Sequence, residues 1–100
     1  MRVELAPRAR AQVRQIDAWW KTNRLAAPTL FSDELVRLLE RLAEGMSPGV
    51  NYPFGGGFEV RRVMLARSRY HVYYSIERDA ELVKVRAVWH AVRGRGPSLT

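Results

Sequence analysis

The apolar positions of this chain change period as it proceeds, and the changes divide it. In "RVELA", residues 2–6, Val3 and Leu5 alternate with Arg2 and Glu4, the period of a short strand. Pro7 then suits the first turn of a helix, where a missing N–H leaves no hydrogen bond unmade. Ala9, Val13, Ile16 and Trp20 follow at spacings of four, three and four, so they share one face of a helix that runs to about Asn23. Arg10, Arg14, Asp17 and Lys21 take the opposite side. Trp19 lies about 100° around that helix from Trp20, so one of the two indoles is expected near the surface.

After the short connection "NRLAAP", Pro28 opens a second helix whose apolar arc is Phe31, Leu35, Leu38, Leu39 and Leu42. Asp33 and Glu34 stand near its start, where negative charge suits the helix dipole, and Gly45 and Pro48 end it. Two helices joined by so few residues pack antiparallel as a hairpin. "SPGVNYPFGGG", residues 47–57, reads as a loop on every local criterion. Its three glycines are no phosphate cradle, because neither a Lys-Ser/Thr pair nor a helix follows them.

From Phe58 the period is two. "FEVRRVML", "YHVYYSIE" and "LVKVRAVWHA" read as strands, separated by "ARSR" and "RDAE", links short enough for antiparallel hairpins. Val72, Tyr74 and Ile76 oppose His71, Tyr73 and Ser75, while Val83, Val85, Ala87 and Trp89 oppose Leu82, Lys84, Arg86, Val88 and His90. The pattern predicts one α+β domain over residues 1–100, ordered β-α-α-β-β-β, with the helical hairpin on one side of a C-terminal antiparallel sheet. Val13, Ile16, Trp20, Phe31, Leu35, Leu38, Leu42, Val72, Tyr74, Val85 and Trp89 are its expected core. The other sheet face should gather His71, Tyr73, Lys84, Arg86 and His90, joined by Arg61 or Arg62 according to register. Such a face suits phosphates or carboxylates; polar-out alternation is also what any solvent-facing antiparallel sheet shows.

Charge sharpens this picture. Seventeen Lys and Arg, all but two of them Arg, stand against ten acids and give a net charge of +7. That excess favours an acidic partner: nucleic acid, an acidic protein segment or an anionic membrane. Arginine adds bidentate binding of phosphate and carboxylate and stacking on aromatic rings. With no cysteine, a disulfide framework and a thiolate metal site are both excluded, and two histidines are too few for an obvious zinc site, so no metal or cofactor is expected. No signal-peptide core is present and no run of about 18 apolar residues occurs, which points to a cytoplasmic protein without membrane association.

Three segments carry a family resemblance. "FSDELVRLLERLAEGMSPG", "VRRVMLARSRYHVYYSI" and "VRAVWHAVRGRGP" resemble the second helix, the Arg-Arg hairpin with its Tyr-x-Val-x-Tyr strand, and the Arg-Gly-rich end of the RelE/ParE toxin superfamily, and within it the ParE-type proteins. The resemblance implies the toxin of a bacterial type II toxin-antitoxin module, associated with plasmid stabilisation and held silent in a hetero-oligomer by a co-encoded acidic antitoxin. ParE-like relatives are associated with inhibition of DNA gyrase; RelE-like relatives cleave mRNA on the ribosome. The resemblance favours a non-enzymatic gyrase inhibitor, with Arg61, Arg62, Tyr73, Lys84, Arg86, Arg93 and Arg95 on the target and Trp19, Arg14, Arg37 and Arg41 on the antitoxin. Where RelE-like enzymes place an arginine early in the middle strand, this chain has His71, and "VRGRGPSLT" lacks the tyrosine they carry near the end. A ribonuclease built here would use His71 and His90 as acid and base with Arg62, Arg86 and Arg93 on the phosphate. An inactive relative that only binds the antitoxin is the third reading.

Overall fold

Seven elements follow one another: β1 (Arg2–Leu5), α1 (Pro7–Asn23), α2 (Leu30–Ala43), β2 (Val50–Asn51), β3 (Glu59–Leu65), β4 (Tyr70–Glu77) and β5 (Leu82–His90). The computed structural model describes residues 1–54, 56–92, 96, 97 and 99. The strands form one five-stranded sheet in the order β1-β5-β4-β3-β2. Its C-terminal part is antiparallel as the alternation predicts, but the sheet is mixed, because β1 pairs parallel with β5 along Arg2–Leu5 and Leu82–Val85. The segment read as a loop contains a further two-residue strand, β2, too short to leave a period in the sequence.

The helices end where their local chemistry dictates. Pro7 sits in the first turn of α1. α2 starts at Leu30, after Pro28, and closes in a Schellman motif around Gly45: its φ is +90°, Met46 N–H donates to Arg41 O at 3.0 Å and Gly45 N–H to Leu42 O at 3.0 Å. Apolar stripes of both helices meet one sheet face in a core of Ala9, Trp20, Phe31, Leu35, Leu38, Leu42, Leu65, Tyr70, Val72, Tyr74, Ile76, Val83, Val85 and Val88. Val13 and Ile16, expected inside, are half-buried and pack against its margin. Two groups pin the edge of the sheet: the Tyr74 hydroxyl donates to Pro48 O, and Arg61 Nη2 donates to Gly49 O at 2.7 Å.

One irregularity in β5 reorganises the rest. Tyr73 pairs with Ala87 but Tyr74 pairs with Val85, so Arg86 is an extra residue, a bulge. Before it, Val83 and Val85 face the helices; after it, Val88 does, and Ala87 and Trp89 turn to the far face. This corrects the uninterrupted alternation read from the sequence: Trp89 is half-buried on the far face, and His90 faces the helices. A bulge adds one residue to one strand and shifts the phase of everything after it.

The far face is likewise not the polar surface expected. Val60, Tyr73, Ala87 and Leu99 form a second buried cluster there, with Tyr52, Phe54 and Trp89 packed against it. Val88 N–H points away from β4 to a side where, among the described residues, no strand runs, since β1 stops at Leu5; Gln12 Oε1 on α1 accepts that bond at 2.8 Å.

Candidate functional site

Two surfaces carry chemistry, one on each side of the sheet. On the far face, register places Arg62 opposite Tyr73, Met64 opposite His71 and Lys84 opposite Ser75. Arg62 stacks on Tyr52 at 5.7 Å, and the Tyr52 and Tyr73 rings meet edge to face at 5.0 Å. Burial pushes the Tyr73 phenol above its ordinary range, against the lowering effect of its hydrogen bond with Arg62. His71 lies edge-on to Tyr73 at 6.2 Å, and burial, then the charges of Arg62 and Arg69, lower its pKa below the ordinary 6.5. That shift favours its neutral form near pH 7. Arg86, the bulge residue, donates from Nε to the buried Ser75 hydroxyl at 2.9 Å and stacks over Phe58 at 4.4 Å.

These placements sort the residues singled out from the sequence. Arg62, His71, Tyr73, Lys84 and Arg86 share the far face. Arg61 does not: paired with Tyr74, it points to the helix side and holds Gly49. His90 is separated from His71 by the sheet itself, paired with Tyr70 and edge-on to its ring at 5.0 Å. The two histidines do not converge on one reacting group. Arg93 and Arg95 lie outside the described residues. Tyr73 is 2% exposed, so it supports the face from beneath.

The second surface is a cleft of about 820 Å³ between α1, the β3–β4 turn and the end of β5. Trp19, 43% exposed, stands at its mouth with Arg24 stacked on the ring at 4.9 Å, and the buried Trp20 donates from Nε1 to Tyr70 Oη at 3.4 Å. Arg67, Arg69 and His90 line it together with Gln12, Gln15 and Ser68, and among the described residues its lining contains no carboxylate. Of the four residues assigned to an antitoxin, Trp19 lies here; Arg14, Arg37 and Arg41 are exposed on the helices and do not line the cleft. Sequence reading missed Arg24, Arg67 and Arg69 because each sits in a connection, where periodicity assigns no face. Only the doubled arginine of "ARSR" hinted at a basic turn.

Glu34 of α2 holds that turn in place, accepting from Ser68 N–H at 2.8 Å and Arg67 N–H at 2.9 Å. Burial pushes the Glu34 carboxyl up, but hydrogen bonds at Ser68 and Arg67 and the Arg67 charge outweigh it, and its pKa falls below the ordinary 4.5. Arg69 adopts φ +70°, a left-handed conformation uncommon for a branched-chain-free but bulky residue, and the pairing of Arg69 N–H with Leu65 O at 2.8 Å fixes it. Among the described residues no group of three or more His, Cys, Asp or Glu is placed to hold a metal, and no helix is long and apolar enough to cross a membrane.

Comparison with known proteins agrees with this architecture. The crystal structure of the isolated E. coli RelE toxin superposes with a TM-score of 0.56 at 18% identity, covering 94% of this chain and 87% of that one, a likeness of fold. No curated protein matches the sequence. The family model of the ParE toxin of the type II toxin-antitoxin system parDE matches residues 3–94. The match spans both helices and all five strands, and the chain belongs to the ParE toxin family of the RelE/ParE superfamily.

Proposed function

We propose that this toxin acts by binding DNA gyrase in the cytoplasm rather than by cleaving mRNA, and that a co-encoded acidic antitoxin silences it. The observation that carries the reading is the bulge at Arg86, which puts His71 and His90 on opposite sides of the sheet. Cleavage through a 2′-hydroxyl needs a base and an acid on one phosphate. Here the far face offers one neutral histidine and cations already engaged with aromatic rings, an arrangement suited to recognition of an acidic surface.

The antitoxin fits the other side. An exposed indole and three arginines in a cleft whose described lining holds no carboxylate of its own favour a segment that supplies an apolar anchor flanked by acids. The test pairs two assays on the purified toxin: gyrase supercoiling and ribosome-dependent mRNA cleavage. Inhibited supercoiling with intact mRNA, relieved by the antitoxin, is expected. Cleaved mRNA with unaffected supercoiling overturns the reading in favour of a ribonuclease, and two silent assays favour a relative that only binds its antitoxin.

A further inference from the structure

The β3–β4 turn reaches the cleft as three residues under different restraints. Ser68 at its centre is 4% exposed, while Arg67 and Arg69 on either side of it are exposed, and all three line the cleft. The second half of the turn is tied to the sheet: Arg69 N–H donates to Leu65 O at 2.8 Å, and Arg69 O accepts from Ala91 N–H at 2.9 Å. The first half is tied to a helix instead, with Arg67 N–H on Glu34 Oε2 at 2.9 Å and Ser68 N–H on Glu34 Oε1 at 2.8 Å. Both oxygens of that carboxylate are thus engaged by main-chain donors. Among the described residues neither Arg67 nor Arg69 forms a salt bridge.

We infer that Glu34 is a positioning residue for antitoxin binding: by clamping the first half of the β3–β4 turn to α2 it aims Arg67 into the cleft for a carboxylate of the incoming segment, while Arg69 is set by the sheet without it. The inference rests on the reading of the cleft as the antitoxin site. Glu34 itself does not line the cleft, so its path to a bound segment is the backbone it holds. A carboxylate so placed acts in two opposite ways. It fixes the turn before the encounter, which leaves less freedom to lose on binding, and its charge competes with an incoming acid for Arg67. The geometry favours the first, because each oxygen faces an N–H at hydrogen-bonding distance. An exposed guanidinium paired with a carboxylate strengthens binding by about fivefold at most, and the loss of its aim can cost no more than that.

The test is a coupling measurement in the full chain. Dissociation constants for the full-length co-encoded antitoxin are read by titration calorimetry, well below the Tm of each variant and after each has been shown to unfold cooperatively. Glu34→Ala is introduced into the parent, Arg67→Ala and Arg69→Ala. In the parent and beside Arg69→Ala it is expected to raise Kd about three- to fivefold, but beside Arg67→Ala less than about twofold, because residues acting through one another are not additive. Glu34→Gln keeps one acceptor without the charge and should fall between the parent and Glu34→Ala. A merely structural role gives the same factor in all three backgrounds, and that result overturns the inference. Tighter binding by Glu34→Gln overturns it too, making Glu34 a competitor for Arg67. If Arg67→Ala and Arg69→Ala each leave Kd unchanged, the reading of the cleft fails and the inference falls with it; if they weaken binding while Glu34→Ala does not, the inference alone fails. Should Glu34→Ala not unfold cooperatively, Glu34→Gln is carried through the same backgrounds and the same ordering decides.

Discussion

Gln12 offers a sharp test of how the end of β5 is held. Its Oε1 accepts the Val88 N–H at 2.8 Å in the place a neighbouring strand would occupy had β1 continued past Leu5. Gln12→Met keeps the length and volume of the side chain while removing the acceptor of this part-buried hydrogen bond. A buried donor left unpaired costs about 1–3 kcal/mol, and a domain of this size shifts its Tm by about 4–8 °C per kcal/mol. The expected loss is therefore at least about 4 °C, with an unchanged urea m-value, since the surface exposed on unfolding is the same. Amide exchange should localise the defect: Val88 N–H loses protection while the β3–β4 pairing keeps it. Gln12→Glu retains an acceptor and should stay within about 0.5 kcal/mol of the parent. A Gln12→Met protein with Tm lowered by less than about 2 °C and Val88 still protected would refute the idea that this side chain completes the sheet.

Further outcomes follow from the same contacts. Leu42, fully buried between α2 and the sheet, should cost about 2–5 kcal/mol on replacement by alanine, measured by urea unfolding. Glu34→Gln should destabilise by about 1 kcal/mol at pH 7, because its two backbone hydrogen bonds lose their charge at a partly solvated site. Since the Glu34 pKa is depressed on folding, its contribution is complete above the ordinary 4.5 and disappears as pH falls through the folded value, so the mutant and parent stabilities should converge in acid. His71 follows the same sign: its folded pKa lies below 6.5, stability from its neutral form is present above that value and is lost as pH falls through the folded pKa, and His71→Gln should flatten that part of the pH profile. Replacing Arg67 and Arg69 together by alanine should weaken antitoxin binding about tenfold or more by calorimetry while gyrase inhibition persists, whereas Arg37→Ala with Arg41→Ala should change antitoxin binding less.

Much of this was legible in the sequence, for physical reasons. The helical stripes of Trp20, Phe31, Leu35, Leu38 and Leu42 were readable because a core-facing helix must repeat near 3.6, and no local exception intervenes between them. Val72, Tyr74 and Ile76 were readable because β4 is central and regular over that span. Ala87, Trp89 and His90 were not, because a bulge leaves no residue-type signature when the inserted residue is an arginine that stacks on Phe58 and bonds Ser75. The parallel pairing of β1 was equally silent, since four alternating residues fit either direction. The cleft was legible only in its parts: Trp19 stood out as a surplus indole, but Arg24, Arg67 and Arg69 meet it through turns whose direction depends on tertiary pairing.

The bulge also explains why one small sheet has two worked faces. Without Arg86 as an extra residue, the strict alternation would carry Ala87 and Trp89 to the helix side, into the space Val88 fills beside Trp20 and Tyr70. An indole forced into a site filled by valine overpacks it, a change that typically costs about 1–3 kcal/mol. At the same time the far face would lose Ala87, the small residue beside Tyr73 in the cluster that also holds Val60 and Leu99. A single inserted residue thus keeps the main core filled by residues of the right size and builds a second apolar cluster on the opposite surface. It also turns His90 toward the cleft, where its Nδ1 accepts from Val92 N–H at 3.3 Å, and leaves His71 alone among cations on the other side. Deleting Arg86 should therefore damage both proposed surfaces at once, whereas Leu99→Asp should affect only the far one and Arg69→Ala only the cleft. A deletion variant that retained gyrase inhibition and antitoxin binding together would show that the two faces do not depend on the phase shift.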